Sequence, residues 1–416
     1  MGGSSSISSG DTAFVLSGAA LVLLMTPGLA MFYGGMVRRK NVLSILMQCF
    51  ILMCLIGVQW IIIGYSLAFG PDLGHFIGSL RWIGLRGVGF MPNPEYAATI
   101  PGPAFMIFQA MFAVITPALF IGAFAERVKF AGFFAFVLLW SVLVYDPVAH
   151  WVWGAGGWLR NLGALDFAGG TVVHISAGIA ALALCLLIGR RKGFNQVPMA
   201  PHNLPFTVLG GGLLWFGWFG FNSASALAAN EVAVNAFVTT NTASAAAGLT
   251  WALIEWIFKS KPTVLGTVSG AVAGLVAITP GAGFVGPLSA ILVGMGAGIC
   301  CYLAVTRVKT WFGYDDSLDV FGVHCIGGIW GAFATGLFAQ KALNPAGNNG
   351  LFFGNPKQLL LQLAGIGSTL GYSLVISVIL YLLIDKTIGM RVEERDEEEG
   401  LDLSQHRESA YGLEGE

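Results

Sequence analysis

Two histidines stand in stretches that are otherwise apolar. "DFAGGTVVHISAGIAALALCLLIG" (Asp166–Gly189) carries His174 eight residues after Asp166, and "DSLDVFGVHCIGGIWGAFATG" (Asp316–Gly336) carries His324 eight residues after Asp316. Each histidine is followed four residues later by glycine (Gly178, Gly328) and then by isoleucine (Ile179, Ile329). A neutral imidazole donates from one ring nitrogen and accepts at the other, and its charge changes close to neutral pH. A facing pair can therefore bond a small polar molecule and share one proton. One histidine in an apolar span is ordinarily a packing residue bonded to a neighbouring carbonyl. Two at matched repeat positions argue for function, since ionisable groups at membrane depth are costly and need partners. A metal centre is disfavoured, because neither histidine has a cysteine or carboxylate at ligand spacing.

The elements that hold these residues follow from composition. The 416 residues are 56% hydrophobic and 10% charged, with mean hydropathy +0.75. Soluble domains carry about 25% charged residues, so the chain reads as an all-α polytopic membrane protein. Its net charge of −1 gives no sign of a nucleic-acid partner. The six cysteines (Cys49, Cys54, Cys185, Cys300, Cys301, Cys325) lie in apolar runs and read as small packing residues, not as a disulfide or metal framework. The start, "MGGSSSISSGDT", lacks the basic flank of a signal peptide, which leaves a native start or a removed signal as alternatives.

Eleven apolar runs are long enough to cross about 30 Å of hydrocarbon, near 12–37, 42–69, 103–124, 130–153, 168–189, 205–229, 234–258, 264–280, 286–306, 319–339 and 357–385. The eighth is short. Sixteen of the 21 Lys and Arg fall in alternate loops and the tail, on one side. The positive-inside rule then puts the N-terminus outside and the C-terminal tail in the cytoplasm. The histidines lie in spans five and ten, so the repeat unit has five spans. An odd unit must re-enter from the opposite face, which gives a 5+5 inverted repeat plus one additional C-terminal helix. Eight helical residues descend about 12 Å, which should bring both histidines to the midplane from opposite faces.

Other residues gain meaning from this frame. Asp166 has two compatible readings: a helix N-cap, or a negative charge that favours a cation above span five. "WFGWFGFNSASAL" places Phe221 and Ser225 four residues apart on one face of span six, with Ser225 near the outer end. Phe112 lies partway down span three, and Trp153 ends span four at the outside. Each aromatic taken alone reads equally well as packing or as an interfacial belt residue.

These motifs resemble the ammonium transporter (Amt/Rh) family, prokaryotic Amt type, over nearly the whole chain. The stretches that carry the resemblance are "FYGGMVRRKNVLS" (Phe32–Ser44), "GAFAERVKF", "LDFAGGTVVHISAG", "WFGWFGFNSASAL", "ITPGAGFVGP" and "DVFGVHCIGG", in that order, with "EEGLDLSQHRESAYG" in the tail. The resemblance implies a homotrimer of eleven-helix subunits in the plasma membrane, each with its own pore, and no enzyme activity or cofactor. It implies that Trp153, Ser225 and Phe112 recruit ammonium or methylammonium from outside, and that Phe112 and Phe221 form a gate. His174 and His324 would line the pore, Asp166 would be a buried electrostatic or structural acid, and Thr279 would lie close to the pore. The transport domain would span 1–385. The tail, 386–416, would pack under the cytoplasmic face and bind a PII-type signal protein, although its composition alone reads as a solvated segment.

Three other functions compete. A sensor of the same family would use the pore to detect ammonium. An intramembrane hydrolase lacks a Ser or Cys nucleophile motif beside either histidine. A water or glycerol pore lacks an Asn-Pro-Ala pair.

Overall fold

The computed structural model describes residues 7–412. The first half of the "MGGSSSISSGDT" segment and the last four tail residues lie outside the described residues. The chain is mostly helical, and nine of its helices among the described residues are long and apolar enough to cross a membrane. These are α1 (Ser9–Met36), α2 (Arg39–Phe69), α3 (Gly102–Ala123), α4 (Phe130 to Trp153, running on to Leu162 after a break), α5 (Gly170–Ile188), α6 (Leu204–Ala226), α9 (Pro287–Phe312), α10 (Phe321–Phe338) and α11 (Lys357–Thr387).

Two further helices fall in the expected places without meeting the same measure. α7 (Glu231–Lys259) is 29 residues long but rich in Ala, Ser and Thr. Its hydroxyls turn back onto its own carbonyls, as when Thr240 Oγ1 donates to Ala236 O at 2.6 Å and Thr250 Oγ1 to Ala246 O at 2.7 Å. That removes polar groups from the surface and lets small side chains pack closely. α8 (Val264–Ile278) has 15 residues and stops two short of the expected 280, because the chain turns at Thr279–Pro280.

Most ends agree with the sequence expectation to within a few residues. α6 stops at Ala226 rather than 229, where Leu227 adopts a left-handed conformation at φ 58°. The larger correction concerns the two histidine-bearing helices. Asp166 and Asp316 do not lie on helix: α5 begins at Gly170 and α10 at Phe321. The descent from each aspartate to its histidine is therefore part loop, and the expected eight helical residues are not present.

The two loops nonetheless match. Three residues after each aspartate the backbone is left-handed, at Gly169 (φ 115°) and Asp319 (φ 62°). Each histidine then sits in a π-helical turn, Gly170–Ile175 or Phe321–Cys325, before regular α-helix resumes. Such single wide turns inside α-helices are frequent at functional sites.

α11 braces both histidine-bearing segments. Gln362 Nε2 donates to Leu165 O at 2.7 Å and to Ala332 O at 3.1 Å, while its Oε1 accepts from Leu165 N at 2.7 Å. One side chain thus ties the residue before Asp166 to the middle of α10.

The tail is ordered against the face that carries most of the basic residues. Two short helices, Glu394–Glu399 and Leu401–His406, lie across it. Asn41 Oδ1 accepts from Leu401 N, and Asp402 Oδ1 accepts from Ser44 N, both at 2.8 Å. Asp402 therefore satisfies a free amide in the first turn of α2 from the far end of the chain. Lys192 pairs with Glu394 at 3.1 Å and Glu398 at 2.6 Å, and Arg391 with Glu397 at 2.9 Å. The acidic composition that suggested a solvated segment matches basic loops that only the fold brings together.

Candidate functional site

All the expected site residues but Thr279 line a succession of cavities through the helices. At the face opposite the tail is a vestibule of about 560 Å³, lined by Phe112, Trp153, Asp166 and Ser225 among others. Trp153 closes α4. Its indole Nε1 donates to Asp166 O at 2.8 Å, and its ring meets Phe112 edge-on, centroids 5.9 Å apart at 86°. Ser225 lies in the last turn of α6 and donates to Phe221 O at 2.8 Å, leaving its oxygen free to accept.

Beneath the vestibule Phe112 and Phe221 overlap, with centroids 4.2 Å apart. Phe108, one turn from Phe112, packs edge-on against it at 5.0 Å. Phe221 in turn lies over His174 at 6.2 Å.

The twin histidines come next. Their rings are 5.4 Å apart and nearly parallel, at 18°, and they are 1% and 3% exposed. Both ring nitrogens of His174 and Nδ1 of His324 are buried without a hydrogen-bond partner among the described residues. A void of about 10 Å³ touches both rings, with apolar side chains such as Leu29, Ile115 and Val272 around it. That is the scale of a single water-sized molecule, for which roughly 10–15 Å³ suffices. A cavity of about 40 Å³ continues from His324 toward the tail face, lined by Tyr33, Trp251, Ser269 and Asp319.

The repeated glycines explain how the histidines meet. A Cβ on Gly178 would lie 2.6 Å from Cys325 Cα, next to His324, and one on Gly328 would lie 3.1 Å from His174 Cβ. Each of these two helices thus offers a bare backbone to the other's histidine turn.

Asp166 is explained by capping. Its Oδ1 accepts from Gly169 N at 2.9 Å and Gly170 N at 2.6 Å, and its Oδ2 from Thr171 N at 2.8 Å and Val172 N at 3.1 Å. The Thr171 hydroxyl donates to it as well. A carboxylate so placed satisfies the free amides of α5 and complements its dipole. Asp316 makes a sparser version, accepting from Phe321 N at 2.8 Å.

Thr279 stands one layer back from the path. Its hydroxyl accepts from Trp218 Nε1 at 2.9 Å, and the Trp218 ring stacks on His174 at 5.4 Å and 20°. Trp218 was missed in the sequence reading. Its place three residues before Phe221, on the same helix face, was the signal that could have found it. Gln109 and Arg160, which also line the vestibule, carry no such signal.

The arrangement can hold a cation at an aromatic and hydroxyl site, screen it at two phenyl rings, and bond a small neutral molecule at two imidazoles. It defines a polytopic membrane protein with a narrow internal path. Comparison with known proteins narrows the class. The sequence profile of the Ammonium Transporter Family matches residues 13–411, and the chain belongs to that family. It is 52% identical over 402 residues to an ammonium transporter of Bacillus subtilis (strain 168), covering 97% of this chain and 98% of that one. Its fold is similar to the crystal structure of Saccharomyces cerevisiae Mep2, with a TM-score of 0.87, 36% identity, and coverage of 93% of this chain and 91% of that chain. It is also similar to a structure described as a Sensor Amt Protein, with a TM-score of 0.88, 27% identity, and coverage of 95% and 98%.

Proposed function

We propose that this protein recruits ammonium at the vestibule, removes a proton there, and passes ammonia between the twin histidines while the proton is handled separately. The observation that carries this reading is the pair of buried imidazoles, His174 and His324, beside an apolar-walled void of about 10 Å³ that lies beneath the Phe112–Phe221 pair and the vestibule. Trp153, Phe112 and the Ser225 oxygen recruit the cation, with cation–π contacts contributing about 0.5–2 kcal/mol. Phe112 and Phe221 form the gate. Beyond them an intact ion would lose its hydration without a counter-charge, at a cost of several kcal/mol. Ammonium escapes that cost by giving up a proton, whereas potassium of similar size and charge has none to give. Ammonia then finds imidazole nitrogens that have no other partner.

This reading includes eleven crossings arranged as a 5+5 inverted repeat with α11 added. The vestibule faces outward and the tail faces the cytoplasm, in a plasma-membrane homotrimer surrounded by lipid. Residues 1–385 form the transport domain, and 386–416 form a regulatory tail that receives a PII-type protein. Matched left-handed residues before each histidine, and the π-turns that hold both histidines, support the repeat. The basic loops under the tail support the orientation.

The likeness to the Sensor Amt Protein favours a second reading, in which the same pore serves detection. Radiolabelled methylammonium uptake into proteoliposomes, with and without excess potassium, separates the two. Saturable uptake indifferent to potassium is the expected result. Binding without uptake would move the protein to the sensing role.

A further inference from the structure

We propose that Arg160 is a positioning residue for Trp153, an inference that rests on the recruitment reading given above. Trp153 is the last residue of α4. A carbonyl at that position has no intrahelical donor, and a cation placed there is favoured by the helix dipole. Arg160 supplies both. Its Nη1 donates to Trp153 O at 2.8 Å, and its Nη2 donates to Glu95 O at 2.9 Å. Its guanidinium also lies 5.7 Å from the centre of the Tyr96 ring. Tyr96 carries the tie further, donating from its hydroxyl to Phe69 O at 2.7 Å and accepting from Ala155 N at 2.9 Å.

One planar fork therefore fastens the end of α4 to the 93–97 turn, and Tyr96 of that turn reaches the end of α2. The indole is held at its other end by Asp166 O. Trp153 is fixed through both its backbone and its ring, which keeps the ring edge-on to Phe112. A lysine could retain the charge, but it could not hold two diverging carbonyls with one rigid group.

Charge alone would give Arg160 the opposite effect. It lines the same vestibule as Trp153, Ser225 and Asp166, and a permanent cation at the mouth of a cation site lowers occupancy by repulsion. Positioning and repulsion thus change the half-saturation concentration in opposite directions.

The test uses full-length protein in proteoliposomes, with radiolabelled methylammonium uptake measured against concentration for wild type, Trp153→Leu, Arg160→Ala, Arg160→Lys and the Trp153→Leu/Arg160→Ala pair. Arg160→Ala is expected to raise the half-saturation concentration by about threefold, the scale of a solvated charge-assisted bond, with little change in the plateau. Arg160→Lys should fall between Arg160→Ala and wild type. In the Trp153→Leu background, Arg160→Ala should add nothing.

An unchanged or lowered half-saturation in Arg160→Ala overturns the proposal, as does full additivity with Trp153→Leu. Should Arg160→Ala fail to fold, Arg160→Lys decides. A half-saturation above wild type supports positioning, and one equal to wild type overturns it. Wild-type behaviour of Trp153→Leu overturns the proposal as well, and wild-type behaviour of Ser225→Ala beside it removes the recruitment reading, an outcome distinct from failure at Arg160.

Discussion

Gly178 packs its bare Cα against the backbone of Cys325, the neighbour of His324, and Gly328 returns the contact at His174. The separation of the two imidazoles is therefore set by backbone approach and not by the histidines themselves.

That relationship gives the first prediction. Gly178→Ala would force its methyl into Cys325 backbone, and overpacking of this kind costs about 1–3 kcal/mol. At Gly328 the nearest atoms stand at 3.0 Å or more, and the roughly 1 kcal/mol gained in helix propensity offsets much of the strain. Gly178→Ala should lower the melting temperature and slow transport, with Gly328→Ala milder in both. Melting curves of the purified protein together with uptake rates provide the check.

The histidines give the second. Replacing either with a carboxylate would place a negative group in the constriction, able to hold a cation. His174→Asp, His324→Glu, or the pair, should admit potassium or stop transport. Currents carried by ammonium and by potassium in reconstituted protein decide it. Wild-type ammonium transport with potassium still excluded would mean that the twin histidines are not the filter.

The recruitment site gives the third. Trp153→Leu removes an aromatic face, and Ser225→Ala removes the hydroxyl acceptor. Each should raise the half-saturation concentration or weaken discrimination between ammonium and methylammonium, by about threefold to tenfold if a cation–π contact of about 1 kcal/mol is lost. Expression should be unaffected. If both variants keep wild-type concentration dependence and selectivity, the vestibule is not where the cation is chosen.

The tail gives the fourth. Arg391 pairs through a β-bridge with Val128, and Val392 N donates to Arg127 O at 3.1 Å. Deleting 391–416 removes these ties and the Asp402 bond to α2. The truncated protein should still fold as an oligomer, with altered transport and weaker binding of a PII-type protein. Size-exclusion chromatography, uptake and a pull-down read the three outcomes. Unchanged uptake together with unchanged binding would remove the tail from the regulatory account.

The fifth concerns acid. Glu126 and Asp315 lie in loops at the tail face, where Glu126 meets Arg38 at 2.8 Å and Arg191 at 3.2 Å, and Asp315 meets Arg191 at 2.7 Å. Burial pushes both carboxyls up, but the arginines outweigh it and leave Glu126 below its ordinary 4.5 and Asp315 below 3.8. The native state then binds fewer protons than the unfolded chain. The stabilisation is complete above the ordinary carboxylate range and is lost as pH falls through the lowered native values. Melting temperature should hold down to about pH 5 and fall below it. Glu126→Gln should cost about 3 kcal/mol at neutral pH, because it leaves Arg38 without a carboxylate partner and Arg191 with Asp315 alone, and should flatten the acid limb.

The sequence by itself determined where the apolar runs lie, nine of which are helices long and apolar enough to cross a membrane among the described residues, because a crossing must be apolar over a length set by the bilayer. It also determined that two histidines stand at equivalent positions, since a repeat with an aspartate, a histidine and a glycine at fixed intervals is visible without coordinates. Tertiary structure decided what those intervals mean. The aspartates sit on loops, because a carboxylate caps a helix best from just outside it. Each histidine lies in a π-turn, a backbone choice with no signature in residue type. Gln362 and Arg160 gained their places only when distant segments met, since a hydrogen bond between residues far apart in the chain leaves no periodic trace in it. The acidic tail reads as solvated in isolation, and it docks because the complementary arginines and lysines come from loops that only the folded bundle brings to one face.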